Sequence, residues 1–247
     1  MKDFLLLPKG FLKRALTNAL TLLYPSRCPV CDRPVWPPGE RICLSCLKSL
    51  KPINDPFCEK CGKKVNAGIR FCTDCGKVKH AFVRSRGAFE YGPLSKAMYR
   101  YKYLGRREYA DIFADLTYSQ LADYIHGVRP DIIAAVPVSK KKLLKRGYNQ
   151  AAEVAKRLAG LSGIPFESGA LFRVRDTSPM KLLSPSERQK NLKNAFTGGQ
   201  NVVKSKRILL VDDIYTTGST MDECSRALLE AGAESVYGLS IASGTGV

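Results

Sequence analysis

Arg207-Ile208-Leu209-Leu210-Val211-Asp212-Asp213-Ile214-Tyr215-Thr216-Thr217-Gly218-Ser219-Thr220 runs from an apolar stretch through two acids into a turn of small hydroxyl residues. Residues 208–211 suit a short strand buried on both faces of a parallel sheet. Asp212 and Asp213 then sit at its carboxyl end, where open α/β sheets bind ligands. Residues 216–220 read as a loop and 221–231 as a helix. A loop that opens a helix is an anion site, because unpaired backbone N–H groups and the helix dipole face the ligand together. Gly218 lets the backbone approach closely and take a positive φ, while Thr216, Thr217, Ser219 and Thr220 add hydroxyl donors. Carboxylates beside a phosphate cradle would repel phosphate, so the two acids must serve another part of the same ligand. Ribose hydroxyls, reached directly or through Mg²⁺, meet that need. The plainer alternative is a buried strand, a turn and a capped helix with no ligand. Adjacent acids at a strand end have no packing purpose under it.

A chain of 247 residues has room for one large or two modest domains and a sizeable core. Its formal charge of +18 is far more than a small phosphorylated ligand requires. Nucleic acid is the natural counterpart, and a solvated basic surface is the alternative. No apolar run is long enough to span a membrane, and Pro8 interrupts Phe4-Leu5-Leu6-Leu7 without a signal-peptide cleavage pattern. Phe11, Leu12, Ala15, Leu16, Ala19, Leu20 and Leu23 recur at helical spacing and read as a docking helix. The expected compartment is the cytoplasm.

Eight of the nine cysteines form four Cys-x-x-Cys pairs: Cys28/Cys31, Cys43/Cys46, Cys58/Cys61 and Cys72/Cys75. Thiolates at this spacing share one face of a knuckle, the geometry that tetrahedral zinc requires. The first two pairs and the last two are offset by about thirty residues, which reads as an internal duplication. One structural zinc per repeat is expected, on Cys28, Cys31, Cys43 and Cys46 and on Cys58, Cys61, Cys72 and Cys75. The short loops between pairs leave crossed ligation open, and disulfides are the alternative in an oxidising compartment. With few large apolar residues, these ribbons must take most of their folding energy from metal. The ninth cysteine, Cys224, lies at helical spacing between Met221 and Leu228 and reads as a packed thiol.

The rest of the chain falls into alternating elements. Three segments are expected: an N-terminal helix over 1–26, a double ribbon over 27–79 and an α/β domain over 80–247. Residues 84–91 alternate like an edge strand, and Pro93 opens a helix. Residues 98–103 interleave tyrosines with bases, as a platform for single-stranded nucleic acid would, or as a core-facing helix with a wet basic face. A buried strand covers 131–138. Lys140, Lys141, Lys142, Lys145 and Arg146 then read as a dense basic loop, and Asn149 as the N-cap of a helix over 150–161. Residues 173–196 are polar and read as a mobile lid or an ordinary surface loop. His80 and His126 are given no role.

The acidic stretch resembles the signature of type I phosphoribosyltransferases at every position. The resemblance implies that Thr216, Thr217, Gly218, Ser219 and Thr220 hold the 5-phosphate of phosphoribosyl pyrophosphate (PRPP). Asp212 and Asp213 would hold its 2- and 3-hydroxyls. Lys140, Lys141 and Arg146, following a strand of the same sheet, then read as meeting the pyrophosphate from the opposite side, with a solvated basic face as the alternative. The cysteine pairs, Lys102-Tyr103-Leu104-Gly105, Val136-Pro137-Val138, Arg146-Gly147-Tyr148-Asn149-Gln150 and the acidic stretch occur in one order. Together they resemble the ComF family of late competence proteins over nearly the whole chain. Thr177, Leu183, Glu187, Arg188, Asn191, Ala195 and Phe196 extend the match, whereas Met180 stands where the family usually has Gln. The implied fold is a type I phosphoribosyltransferase-like parallel sheet flanked by helices, preceded by a small double zinc ribbon. The implied role is DNA uptake in natural transformation, on single-stranded DNA at the inner face of the membrane. The uptake helicase and a recombination-loading factor are the implied partners. A transferase with an unidentified acceptor is the alternative activity.

Overall fold

The computed structural model describes residues 25–37, 39–176 and 191–246. The chain divides into two compact units, 1–49 and 50–247. The docking helix expected before residue 24, and Thr177, Met180, Leu183, Glu187 and Arg188, lie outside the described residues.

In the first unit, helix α1 (Leu44–Ser49) carries Cys46 and follows directly on Cys43, the second cysteine pair. The second unit opens with the other two pairs and helix α2 (Thr73–Lys77). Strand β1 (Ser85–Glu90) leads straight into helix α3 (Tyr91–Tyr103), followed by α4 (Tyr109–Gly127) and β2 (Ile132–Ala135). Helices α5 (Lys140–Arg146) and α6 (Gln150–Ser162) come next. Strands β3 (Leu171–Arg173) and β4 (Phe196–Gly198) form a small antiparallel pair, and α7 (Gln200–Val203) leads on from them. Strand β5 (Arg207–Tyr215), helix α8 (Ser219–Glu230) and strand β6 (Ser235–Ser243) complete the fold.

The main sheet is parallel, in the order β1-β6-β5-β2, so β5 is an inner strand. Ile208, Leu209, Leu210 and Val211 are fully buried, as a strand covered on both faces requires. Side chains alternate along β5. Ile208 and Leu210 therefore enter one core with Met221, Cys224 and Leu228 of α8, while Leu209 and Val211 serve the opposite face. The strand runs four residues beyond the apolar stretch, because β6 continues alongside and pairs Asp212 with Ser240 and Tyr215 with Ser243. Hydropathy registers burial, whereas the ladder depends on the partner's length, so the sequence reading ends the strand too early.

Strand β1 is the edge of the sheet, and the incoming chain caps it. Ile53 N–H donates to the Ala88 carbonyl at 3.0 Å and Glu90 N–H to the Lys51 carbonyl at 2.8 Å. The second set of cysteines is equally integrated. Cys58, Cys61, Val65 and Cys72 share a continuous core with Phe82, Ile208, Leu210, Tyr215 and Met221. Packing thus divides the chain at 49/50, where composition and cysteine spacing place a boundary near 79/80.

The basic segment after β2 is a helix, not the loop expected from its charge. The Ser139 hydroxyl accepts the Lys142 N–H at 3.3 Å, and Gly147 closes the helix in the left-handed region at φ 77°. Lys and Leu are both good helix formers, and that preference outweighs the run of like charge. Asn149 caps α6 as expected, accepting from the Ala151 and Ala152 N–H groups.

Candidate ligand cleft and metal centres

Gly218 sits between β5 and α8 at φ 82°, where an L side chain is strained. A Cβ there would overlap the Tyr215 hydroxyl oxygen and lie 3.2 Å from Cε1 of His80. The turn therefore closes only with glycine. Its hydroxyls are preset: Thr217 Oγ1 and Ser219 Oγ share a hydrogen bond at 3.0 Å. Asp212, Thr216, Thr217, Gly218, Ser219 and Thr220 line a pocket of about 90 Å³ at the start of α8. Free amides of the first helical turn border it, which suits one phosphate group.

This pocket opens off a larger cleft of about 400 Å³, which Asp212, Thr216 and Thr220 also line. Asp213, Lys102, Lys142, Arg146 and Arg173 converge on the same cleft, together with Tyr99 and Tyr103. Four cations thus surround two acids, and the cleft as a whole favours an anionic ligand. Lys102 Nζ donates to Asp213 Oδ1 at 2.9 Å, with both side chains largely buried. Asp212 Oδ1 accepts the Asp213 N–H at 2.8 Å. Burial and then repulsion from Asp213 push Asp212 up to about 7, against the pull of Lys102. Burial, then the neighbouring Arg146, Arg173 and Lys102, lowers the Lys142 ammonium. Two adjacent carboxylates, of which Asp213 alone is paired with Lys102, fit a hydroxyl-rich sugar or a hydrated Mg²⁺ ion.

Of the residues singled out in the sequence, Arg146 lines this cleft with the acids and the hydroxyl turn, whereas Lys140 and Lys141 are exposed and do not. Lys142, on the next helical position, takes their place. Lys102 enters the sequence reading only within the tyrosine–base stretch 98–103 and a family motif, and Arg173 only as the start of the polar segment 173–196; neither is placed beside the acids there. Lys102 had one signal: it lies four residues after the fully buried Met98, so part of the side chain runs beside the core. Burial pushes the Cys224 thiol well up, in keeping with a packed, unreactive residue.

Beneath the turn lies the second cysteine cluster. His80 is buried, stacks on Phe82 at 4.8 Å and places Nδ1 3.6 Å from Asp222 Oδ1 on α8. Burial tends to raise Asp222, but the His80 ring, the Ala81 N–H and Arg226 outweigh it and keep the carboxyl below its ordinary value. Lys63 lies over the Tyr215 ring at 5.8 Å and pairs with Asp74 at 2.7 Å. His126, by contrast, is exposed and meets the Tyr118 hydroxyl at 3.0 Å.

Cys28, Cys31, Cys43 and Cys46 converge in the first unit, and Cys58, Cys61, Cys72 and Cys75 in the second. Cys31 and Cys43 sulfurs are 3.7 Å apart, and those of Cys61 and Cys72 3.6 Å. Tetrahedral zinc with Zn–S bonds of about 2.3 Å spaces its sulfurs by about 3.8 Å. Both sets fit structural zinc. The Cys72 N–H, 3.3 Å from the Cys58 sulfur, adds the amide support such thiolates use.

A family model described as a double zinc ribbon domain matches residues 19–76, and one described as a phosphoribosyl transferase domain matches residues 142–241. "Competence protein F" of Haemophilus influenzae is 31% identical over 222 residues, covering 87% of this chain and 96% of that protein. The chain belongs to the ComF family. Other ComF relatives include "DNA utilization protein YhgH" of Escherichia coli K12, 29% identical over 87% of this chain and 96% of its own. "Competence protein ComFC" of Bacillus subtilis is 28% identical over 79% of this chain and 80% of its own. The ComF chain thus joins a double zinc ribbon to a phosphoribosyltransferase-type sheet flanked by helices. No helix among its described residues is long and apolar enough to cross a membrane.

Proposed function

We propose that this ComF protein binds PRPP with Mg²⁺ in the cleft at the carboxyl end of β5 and engages single-stranded DNA through its basic surface during DNA uptake. The observation that carries the reading is the left-handed Gly218 turn, opening a helix directly after Asp212 and Asp213. Thr216, Thr217, Gly218, Ser219 and Thr220 receive the 5-phosphate, and Asp212 and Asp213 the ribose hydroxyls and the ion. Arg146 and Lys142, with Lys102 and Arg173 nearby, face the pyrophosphate. The names of the relatives, which speak of competence and DNA utilization, support the DNA side. So does the charge of +18.

An active phosphoribosyltransferase with an unidentified acceptor is the second reading, and the match of residues 142–241 to a phosphoribosyl transferase domain favours it. Calorimetry with PRPP and Mg²⁺ tests the binding reading, with Asp213→Asn as control. Heat in the unaltered protein and its loss in the variant are expected, and no heat in the unaltered protein defeats it. Pyrophosphate release, measured with and without single-stranded DNA, separates turnover from binding.

A further inference from the structure

We infer that Tyr99 and Tyr103 form a stacking subsite for a nucleobase on the wall of the same cleft, so that sugar phosphate and base meet in one place. The inference builds on the proposed function for its neighbouring sugar phosphate. Tyr99, Lys102 and Tyr103 stand at i, i+3 and i+4 of α3 and share one helical face. Lys102 on that face touches Asp213 at 2.9 Å, so both rings lie within a turn of the acid pair. Leu94, Ala97, Met98 and Tyr101 bury the core side of α3, which Lys102 flanks and from which Tyr99 and Tyr103 point away. The two rings, 56% and 46% exposed, are therefore not needed for the core.

Their arrangement suits a flat aromatic guest. The ring centroids are 5.2 Å apart at 43°, and both rings line the cleft. The Arg146 guanidinium lies 5.1 Å from the Tyr103 ring, which adds a second flat, positively charged surface. Aromatic rings interleaved with cations bind bases by stacking, which is tolerant of sequence because every base has a π face. The cations favour a ring that carries phosphate over a neutral one. An acidic peptide would satisfy the cations and leave the tyrosine faces unused, so a nucleobase is the guest that employs both. It can come from a free nucleotide or from the end of a single strand.

A fluorescent purine analogue, offered as a nucleoside monophosphate and within a short single strand, distinguishes these sources. Its emission is expected to fall on stacking, with affinity roughly tenfold weaker in Tyr99→Ala and in Tyr103→Ala and retained in the Phe variants. Quenching of both probes places the base itself in the subsite, and quenching of the strand alone makes the strand the guest. No quenching of either, or alanine variants that bind as the unaltered protein does, overturns the inference. If an alanine variant does not fold, Tyr99→Leu and Tyr103→Leu keep apolar bulk, remove the π face and carry the same test. Calorimetry with PRPP on the unaltered protein keeps the two readings apart. PRPP heat without quenching defeats the subsite alone, whereas quenching without PRPP heat defeats the sugar-phosphate reading and leaves the rings in their role.

Discussion

The Tyr215 hydroxyl occupies the space where a side chain on Gly218 would begin. That hydroxyl is buried and has no hydrogen-bond partner among the described residues. Gly218→Ala forces either the phenol or the turn to move and also strains a backbone at φ 82°, a penalty of about 1–2 kcal/mol before any clash. We expect this variant to lose PRPP affinity at least tenfold and to melt earlier, by calorimetry and thermal denaturation. Tyr215→Phe removes an unsatisfied polar group, so its melting temperature should hold or rise. A clear fall would mean the hydroxyl has a partner in solution.

The Lys102–Asp213 pair makes a second prediction. Removing one member of a largely buried pair leaves the other uncompensated. Lys102→Ala should destabilise the chain by about 2–4 kcal/mol in urea melts, with Lys102→Met milder than Asp213→Ala. Equal stability in all three would place the pair in water.

Asp212 sets a pH dependence. Its carboxyl moves from an ordinary 3.8 to about 7 on folding, so the folded chain holds a proton that the unfolded chain gives up. The contribution to stability is complete below about pH 4 and is lost as pH rises through about 7. Binding runs the other way, because hydroxyls and Mg²⁺ need the carboxylate. Between about pH 6 and 8 the melting temperature of the ligand-free protein should fall while PRPP affinity rises, and Asp212→Asn should flatten both trends.

Metal removal should separate the two centres. Cys61 and Cys72 share a core with Tyr215 and Met221, on either side of the phosphate turn. Cys61→Ser should therefore lose one zinc equivalent and most PRPP binding. Cys31→Ser, in the other compact unit, should lose one equivalent and keep PRPP binding. Metal analysis beside calorimetry reads both, and identical PRPP behaviour in the two variants would contradict the distinction.

The charge of the cleft predicts how strand binding responds to salt. With Lys102 held by Asp213, strand phosphates met by Lys142, Arg146 and Arg173 should give a log–log slope of about −2 on single strands. Anisotropy titrations across salt concentrations measure it, and a flat line would exclude a phosphate-led interface.

Local chemistry was legible in the sequence wherever a residue acts on its own neighbourhood. Asn149 caps the helix beside it, Gly218 turns the chain it belongs to, and residues 208–211 announce a strand covered on both faces. Cleft residues whose partners are distant were not legible. Lys102 meets Asp213 across 111 positions of sequence, and nothing in either segment announces the other. Lys142 lines the cleft and Lys140 and Lys141 do not, because a helix, unlike a loop, presents only some of its positions to a given neighbour. The packing of Cys58 and Cys72 against Phe82 and Tyr215 is likewise a long-range fact, invisible to spacing arguments about metal.

The strap of residues 51–53 along β1 makes the sheet indivisible from what precedes it. A chain trimmed to begin at residue 80 would bare the backbone amides and carbonyls of an outer strand and uncover Phe82 and Tyr215 on the flank beneath. Such a fragment would find its missing neighbours in other copies of itself, and its fate would be aggregation.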